Sequence, residues 1–222
     1  MINIFFSPTK VFPSLKEKPS WALPLVIVLV FVALTAVVTV IATKDMAQAR
    51  QEEMLKERGL TDEQIQQAKT FMSGPLPVVF GAIGAIILTT IILLLFALLI
   101  NVLIPPLGGA GGFAKVFSVV SYAALVKVPG SIIRIILVLM TKSLYATTSL
   151  AAFMPNLARH SLVFQLLTNL DIFIIWEMLL VSLGIHITND LKKNNSYLLI
   201  FGIWVGSIIL GIALGSLTPG PR

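Results

Sequence analysis

Apolar residues run almost unbroken over residues 22–43, 75–104, 116–140, 162–187 and 197–217, and polar residues are gathered between those runs. A helix rises ~1.5 Å per residue and needs ~20 apolar residues to cross a bilayer, so each run suffices for one crossing. The pattern predicts an all-α polytopic membrane bundle of five transmembrane helices, with the termini on opposite sides. The second run is longer than a crossing needs and must tilt or project beyond the bilayer. Pro129-Gly130 interrupts the third run. Proline lacks an amide donor and clashes with the preceding turn, which predicts a kink or a break there. Broken helices also occur at transporter sites, so this feature suits a structural or a transport reading.

The chain divides into an N-terminal interfacial segment, 1–21, and a five-span membrane domain, 22–222, with a polar helical insert at 44–74. In the first segment Ser7-Pro8 reads as a helix start. Phe5, Phe6, Val11, Phe12 and Leu15 are expected against the lipid interface, Pro13 limits the helix to a short piece, and Trp21 anchors the first span at headgroup level. A disordered lead-in is the alternative. Lys16 and Lys18 before an apolar run, with Ala47-Gln48-Ala49 after it, resemble a secretory signal. The run 22–43 is too long for a signal core of ~7–15 residues and is expected to remain as the first span. In the insert Gly59 ends one helix, Thr61 to Gln64 forms a capping box for a second, and Ile65, Ala68 and Phe71 or Met72 make a narrow apolar stripe. A helical hairpin outside the bilayer, over the bundle mouth, and a solvated linker with fraying helices are both compatible with it. The loop Pro105 to Gly112 lacks the pattern of a phosphate-binding loop and reads as a flexible interfacial connection. In the last run Gly202, Gly206, Gly211 and Gly215 fall in four-residue steps that favour helix packing, within the chain or in a homodimer.

Composition narrows the class. Of 222 residues 57% are hydrophobic and 12% charged, with mean hydropathy +0.96, against ~25% charged in a soluble domain. Net charge +6 is scattered along the chain, which argues for anionic lipid and against nucleic acid as its counterpart. There is no cysteine, so disulfides and thiolate chemistry are excluded.

Charge inside the apolar runs is the strongest candidate chemistry. Lys127 and Arg134 lie in the third run, Asp171 and Glu177 in the fourth. In an antiparallel hairpin facing residues have a nearly constant index sum, and Lys127 with Glu177 gives 304 while Arg134 with Asp171 gives 305. An unpaired intramembrane charge costs at least ~3 kcal/mol, so two ion pairs in one register are expected. The competing reading is a polar pathway that binds a solute or relays protons, with Asn101, Tyr122 and Pro129 lining it or serving helix packing. Two carboxylates alone do not define general acid and base catalysis, and no catalytic residue is assigned. His186 and Asp190 are four apart without a third ligand, and His160 beside Arg159 is similarly bland, so neither a metal nor a cofactor is expected. The hydroxyls from Thr141 to Ser149 have no adjacent base to activate them.

The order Pro8, Phe12, Leu15, Pro19, Trp21 leading into a span resembles the opening of bacterial members of the Ypt-interacting-protein (Yip) domain family. Phe117-Ser118-Val119-Val120-Ser121-Tyr122 followed by Pro129 resembles that family's Ser-Tyr and proline signature, and Gly59 to Ile65 its polar insert. The resemblance implies a five-span bundle with the N-terminus cytoplasmic and no enzymatic activity. Rab-type GTPase binding does not carry over, because only about 20 residues precede the first span and the acidic element of eukaryotic relatives is missing. In that orientation Lys10, Lys16, Lys18, Lys115, Lys192 and Lys193 face inward. Lys142, Arg159, Arg222 and five basic residues of the insert face outward, six against eight, so the positive-inside rule does not support it. The expected function is a non-enzymatic membrane scaffold or partner-binding module in the bacterial plasma membrane. The alternative is a small transporter or channel built on the four charges. Membrane lipid and a membrane-protein partner or second copy are the expected partners, and no solute is identified.

Overall fold

The computed structural model describes residues 2–143, 145–154, 156–158 and 161–217, without the side chains of Phe71, Met72, Ser216 and Leu217. Arg159, His160 and Arg222 lie outside the described residues, as do the side chains of the last stripe positions in the insert. The described chain is all-α: α1 Asn3–Phe6, α2 Pro8–Glu17, α3 Ala22–Ala42, α4 Lys44–Glu57, α5 Asp62–Ser73, α6 Leu76–Leu103, α7 Phe113–Ala124, α8 Lys127–Thr141, α9 Leu162–Asn169, α10 Ile172–Thr188 and α11 Lys193–Leu217. Short 3-10 turns cover Pro105–Leu107 and Leu150–Phe153. A lone antiparallel bridge joins Ser149 to Asp171.

Among the described residues four segments are long and apolar enough to cross a membrane: Ala22–Ala42, Leu76–Leu103, the combined α7 and α8 over Phe113–Thr141, and Lys193–Gly215. The fifth expected crossing is shorter. The run 162–187 is divided at Leu170-Asp171, leaving α9 and the apolar 17-residue α10. Asp171 causes the division: it adopts an extended backbone as the N-cap of α10. An Asp side chain in that position accepts one of the helix's orphan amides.

The third run also breaks, just ahead of its proline. The amides of Leu125, Val126 and Val128 reach back three residues, to Tyr122, Ala123 and Leu125, in place of four. Pro129 then falls in the first turn of α8, where a missing amide costs nothing.

By internal contacts the chain forms two units, Met1–Val28 with Ile91–Gly130 and Thr147–Arg222, and Leu29–Thr90 with Ser131–Ala146. In the first, α7 and α10 run antiparallel. A Cβ on Gly184 would meet Val119, Lys127 meets Glu177, and a Cβ on Gly130 would meet Phe173, so the index sum stays at 303 to 304. The N-terminal segment is built into this unit. Phe5 stacks edge-on to Trp176, Phe12 faces Gly184 and Lys16 reaches Asp190, so α1 and α2 run parallel to α10. Ile4, Phe12 and Leu15 are buried. The apolar face expected at the lipid interface is thus turned largely onto protein. Helix α2 also continues past Pro13 to Glu17, with the proline ring on its exposed side.

In the second unit α4 and α5 form the expected hairpin. Gly59 takes a left-handed backbone, φ +74°, at the turn. Thr61 N–H donates to Gln64 Oε1 and Gln64 N–H to Thr61 Oγ1, the reciprocal pair of a capping box. Lys56 and Lys69 both bond Glu52, at 2.8 and 2.7 Å, and hold its carboxyl down at about 2.

Candidate functional site

Lys127 opens α8 directly after the break, and Glu177 lies on the second turn of α10. The ammonium is 2.8 Å from Glu177 Oε2. The environment is lopsided: the Glu177 side chain is 4% exposed and the Lys127 side chain 41%. A buried carboxylate is tolerable when a cation and further bonds compensate it, whereas a lysine can extend its amine toward a polar region.

Asp171 is held differently. Asp171 Oδ1 accepts the Phe173 amide at 2.8 Å, and Oδ2 accepts the Thr148 hydroxyl. Arg134 is exposed on α8, in the part of that helix that belongs to the second unit. The index sum assumed two continuous helices. Helix α10 begins only at Ile172, so the Asp171 carboxylate caps it and is occupied by the Phe173 amide and the Thr148 hydroxyl.

The remaining polar candidates have local duties. Asn101 Oδ1 accepts the Gly112 amide at 2.9 Å and so ties the end of α6 to the glycine loop. That loop is clamped again by Asn189, whose carbonyl accepts the Ala110 amide and whose Nδ2 donates to the Ala110 carbonyl, both at 2.7 Å. Tyr122 Oη lies 3.4 Å from Ser20 Oγ. His186 Nδ1 bonds the Leu191 carbonyl at 2.7 Å, closing the turn after α10. Asp190, in that turn with φ 53°, bonds Lys16 at 2.5 Å. That bond holds its carboxyl below the ordinary value, with smaller help from Lys115 and His186. Among the described residues no group of three His, Asp or Glu could hold a metal ion.

The glycines of α11 make no close approach among the described residues of this chain, which leaves packing against a second copy as the alternative of the two expected. A Cβ on Gly202, Gly206 or Gly211 would meet no atom within 4 Å, and one on Gly215 would only reach Gln165 Oε1 at 4.0 Å. Close approach occurs at glycines not singled out by spacing. A Cβ on Gly184 would stand 2.4 Å from Val119 and 2.9 Å from Phe12, and one on Gly130 would stand 2.7 Å from Phe173. A lone glycine inside an apolar run was the available signal for both.

The site therefore consists of two interrupted helices, antiparallel in register, joined by one charged pair and close glycine contacts. A family model for the Yip1 domain matches residues 2–215. The chain belongs to the Yip1 domain family. The match includes the N-terminal α1 and α2, in line with their packing against α10. A membrane protein of Bacillus subtilis (strain 168), YknW, is 28% identical over 216 residues, covering 95% of this chain and 84% of the relative. No solved structure gives a significant match. The protein is thus an integral membrane protein of the Yip1 domain family, of the bacterial type.

Proposed function

We propose that this Yip1 domain protein is a non-enzymatic scaffold or partner-binding module, multi-pass in the bacterial plasma membrane, with its N-terminus cytoplasmic. The observation that carries this reading is the direct Lys127–Glu177 bond, which turns the most deeply buried carboxylate into a fastening between α8 and α10. Two further features support it. The polar side chains Ser118, Ser182, Thr188 and Ser196 all donate to carbonyls within the first unit. The spans over Ala22–Ala42 and Lys193–Gly215 have only 11% of their apolar windows buried, which leaves wide faces for lipid or another membrane protein.

A transport reading has one observation in its favour: both helices bearing the pair are interrupted. Reconstitution in liposomes separates the two readings. The scaffold reading expects no flux under ion or proton gradients and a reproducible membrane-protein partner on crosslinking in cells. Flux that vanishes in Lys127→Gln and Glu177→Gln variants of unchanged folding would overturn it.

A further inference from the structure

The second unit holds a cavity of about 510 Å³, within the ~300–1,000 Å³ usual for ligand sites. It is bordered by the ends of α3 and α8 and the start of α4. Val38, Ile41 and Leu139 give it apolar walls, while Thr43, Asp45 and Lys142 stand at its polar side. The Thr43 hydroxyl is already bonded to the Thr39 carbonyl, so the two charges are the groups left to meet a ligand.

Among the described residues neither Asp45 nor Lys142 takes part in an ion pair, although both border the same cavity. Lys142 carries a second mark. It follows the last turn of α8 with φ +51°, a left-handed backbone that glycine adopts freely and other residues adopt at a cost. Its amide still bonds the Val138 carbonyl at 2.8 Å, the position where a helix stop favours glycine. A strained lysine at a cavity rim, where a glycine would satisfy the backbone, directs attention to its amine.

The depth of the cavity is set by the helices that border it. Both α3 and the combined α7–α8 segment are candidate membrane spans, and the cavity lies where each of them ends. Its apolar walls therefore belong to the edge of the hydrocarbon layer, and its charges to the headgroup region.

We propose that this cavity binds a zwitterionic phospholipid of the ethanolamine type, with its ammonium on Asp45, its phosphate on Lys142 and the upper part of an acyl chain along Val38, Ile41 and Leu139. Charge complementarity selects a zwitterionic headgroup, and a carboxylate that can accept N–H bonds favours the primary ammonium of ethanolamine over a quaternary one. An anionic lipid would satisfy Lys142 and be repelled by Asp45, and a single cation would do the reverse. The site is independent of whether the protein scaffolds or transports.

The test is native mass spectrometry of the full chain released from vesicles of equal phosphatidylethanolamine and phosphatidylglycerol. The parent should retain phosphatidylethanolamine in preference. Asp45→Asn and Lys142→Gln should each lower that retention about fivefold, the scale of one exposed charge contact. Ala42→Trp, which fills the cavity from another wall, should lower it without touching either charge. Lys142→Gly separates ligand binding from folding: relief of the backbone should raise the melting temperature while retention falls. Equal retention of both lipids by the parent would overturn the proposal, as would retention unchanged in the two charge variants. A phosphatidylglycerol preference that survives Asp45→Asn would overturn it too, because it would mark Lys142 as a plain cationic contact.

Discussion

Single residues decide how closely the helices of the first unit meet. Gly184 leaves room for both Phe12 and Val119, and a methyl group there would overlap side chains held on two different elements. Gly184→Ala should lower stability by about 1–3 kcal/mol, the usual cost of overpacking. Gly206→Ala has open space around it and should be neutral or stabilising, by up to ~1 kcal/mol from helix propensity. Thermal unfolding of both variants in one detergent checks the contrast. Asp171 poses a different residue-scale question. If its carboxylate serves as a helix cap, Asp171→Asn should be almost silent and Asp171→Ala should cost about 0.5–2 kcal/mol in the same assay. Sequence showed the acid and pointed to a partner charge and to no cap, because an apolar run on either side of an Asp looks like one helix until the backbone is known. Gly184 was illegible for a related reason: periodicity shows that a glycine lies in a helix and says nothing of what faces it.

Among the elements, the α4–α5 hairpin was the most legible, since its turn glycine and capping box are local features with local consequences. The N-terminal helix was legible as an amphipathic helix but not in its placement. A stripe such as Phe12 and Leu15 is equally suited to a lipid surface and to a neighbouring helix, and only the tertiary fold chose α10. The break near Pro129 was readable because a proline sits without cost in the first turn of a new helix, whereas the effect of Pro13 was not, since its ring lies on the exposed side of α2 and the helix runs on to Glu17. The hairpin also supplies a pH prediction. Glu52 is lowered from 4.5 to about 2 by its bonds to Lys56 and Lys69, so its contribution is complete above about 4.5 and is lost as pH falls toward 2. Protection of the α4–α5 amides in hydrogen exchange, corrected for intrinsic rates, should hold level from neutral pH to about 5 and decline below 4.5. Glu52→Gln should remove that decline and leave the parent's protection at neutral pH slightly reduced.

For the whole molecule, the count of apolar runs and the antiparallel register of the third and fourth were readable, whereas the continuity of those helices was not. Two short breaks, at Leu125–Val126 and Leu170–Asp171, separate the expected five uninterrupted crossings from the observed arrangement of four long segments and one shorter helix. The Lys127–Glu177 contact lies between those breaks and is the centre of the proposed account: a fastening that holds two interrupted helices together. Its lopsided burial gives the account an asymmetric signature. Removing the amine strands a carboxylate that is 4% exposed, whereas removing the carboxylate's charge leaves a lysine already 41% exposed. The deciding measurement is a double-mutant cycle on thermal stability with Lys127→Gln, Glu177→Gln and the pair together. The account predicts that Lys127→Gln destabilises more than Glu177→Gln, by up to ~3–5 kcal/mol if burial is complete, and that the double variant recovers part of the loss. Parent-like stability in all three, or strictly additive losses, would contradict it.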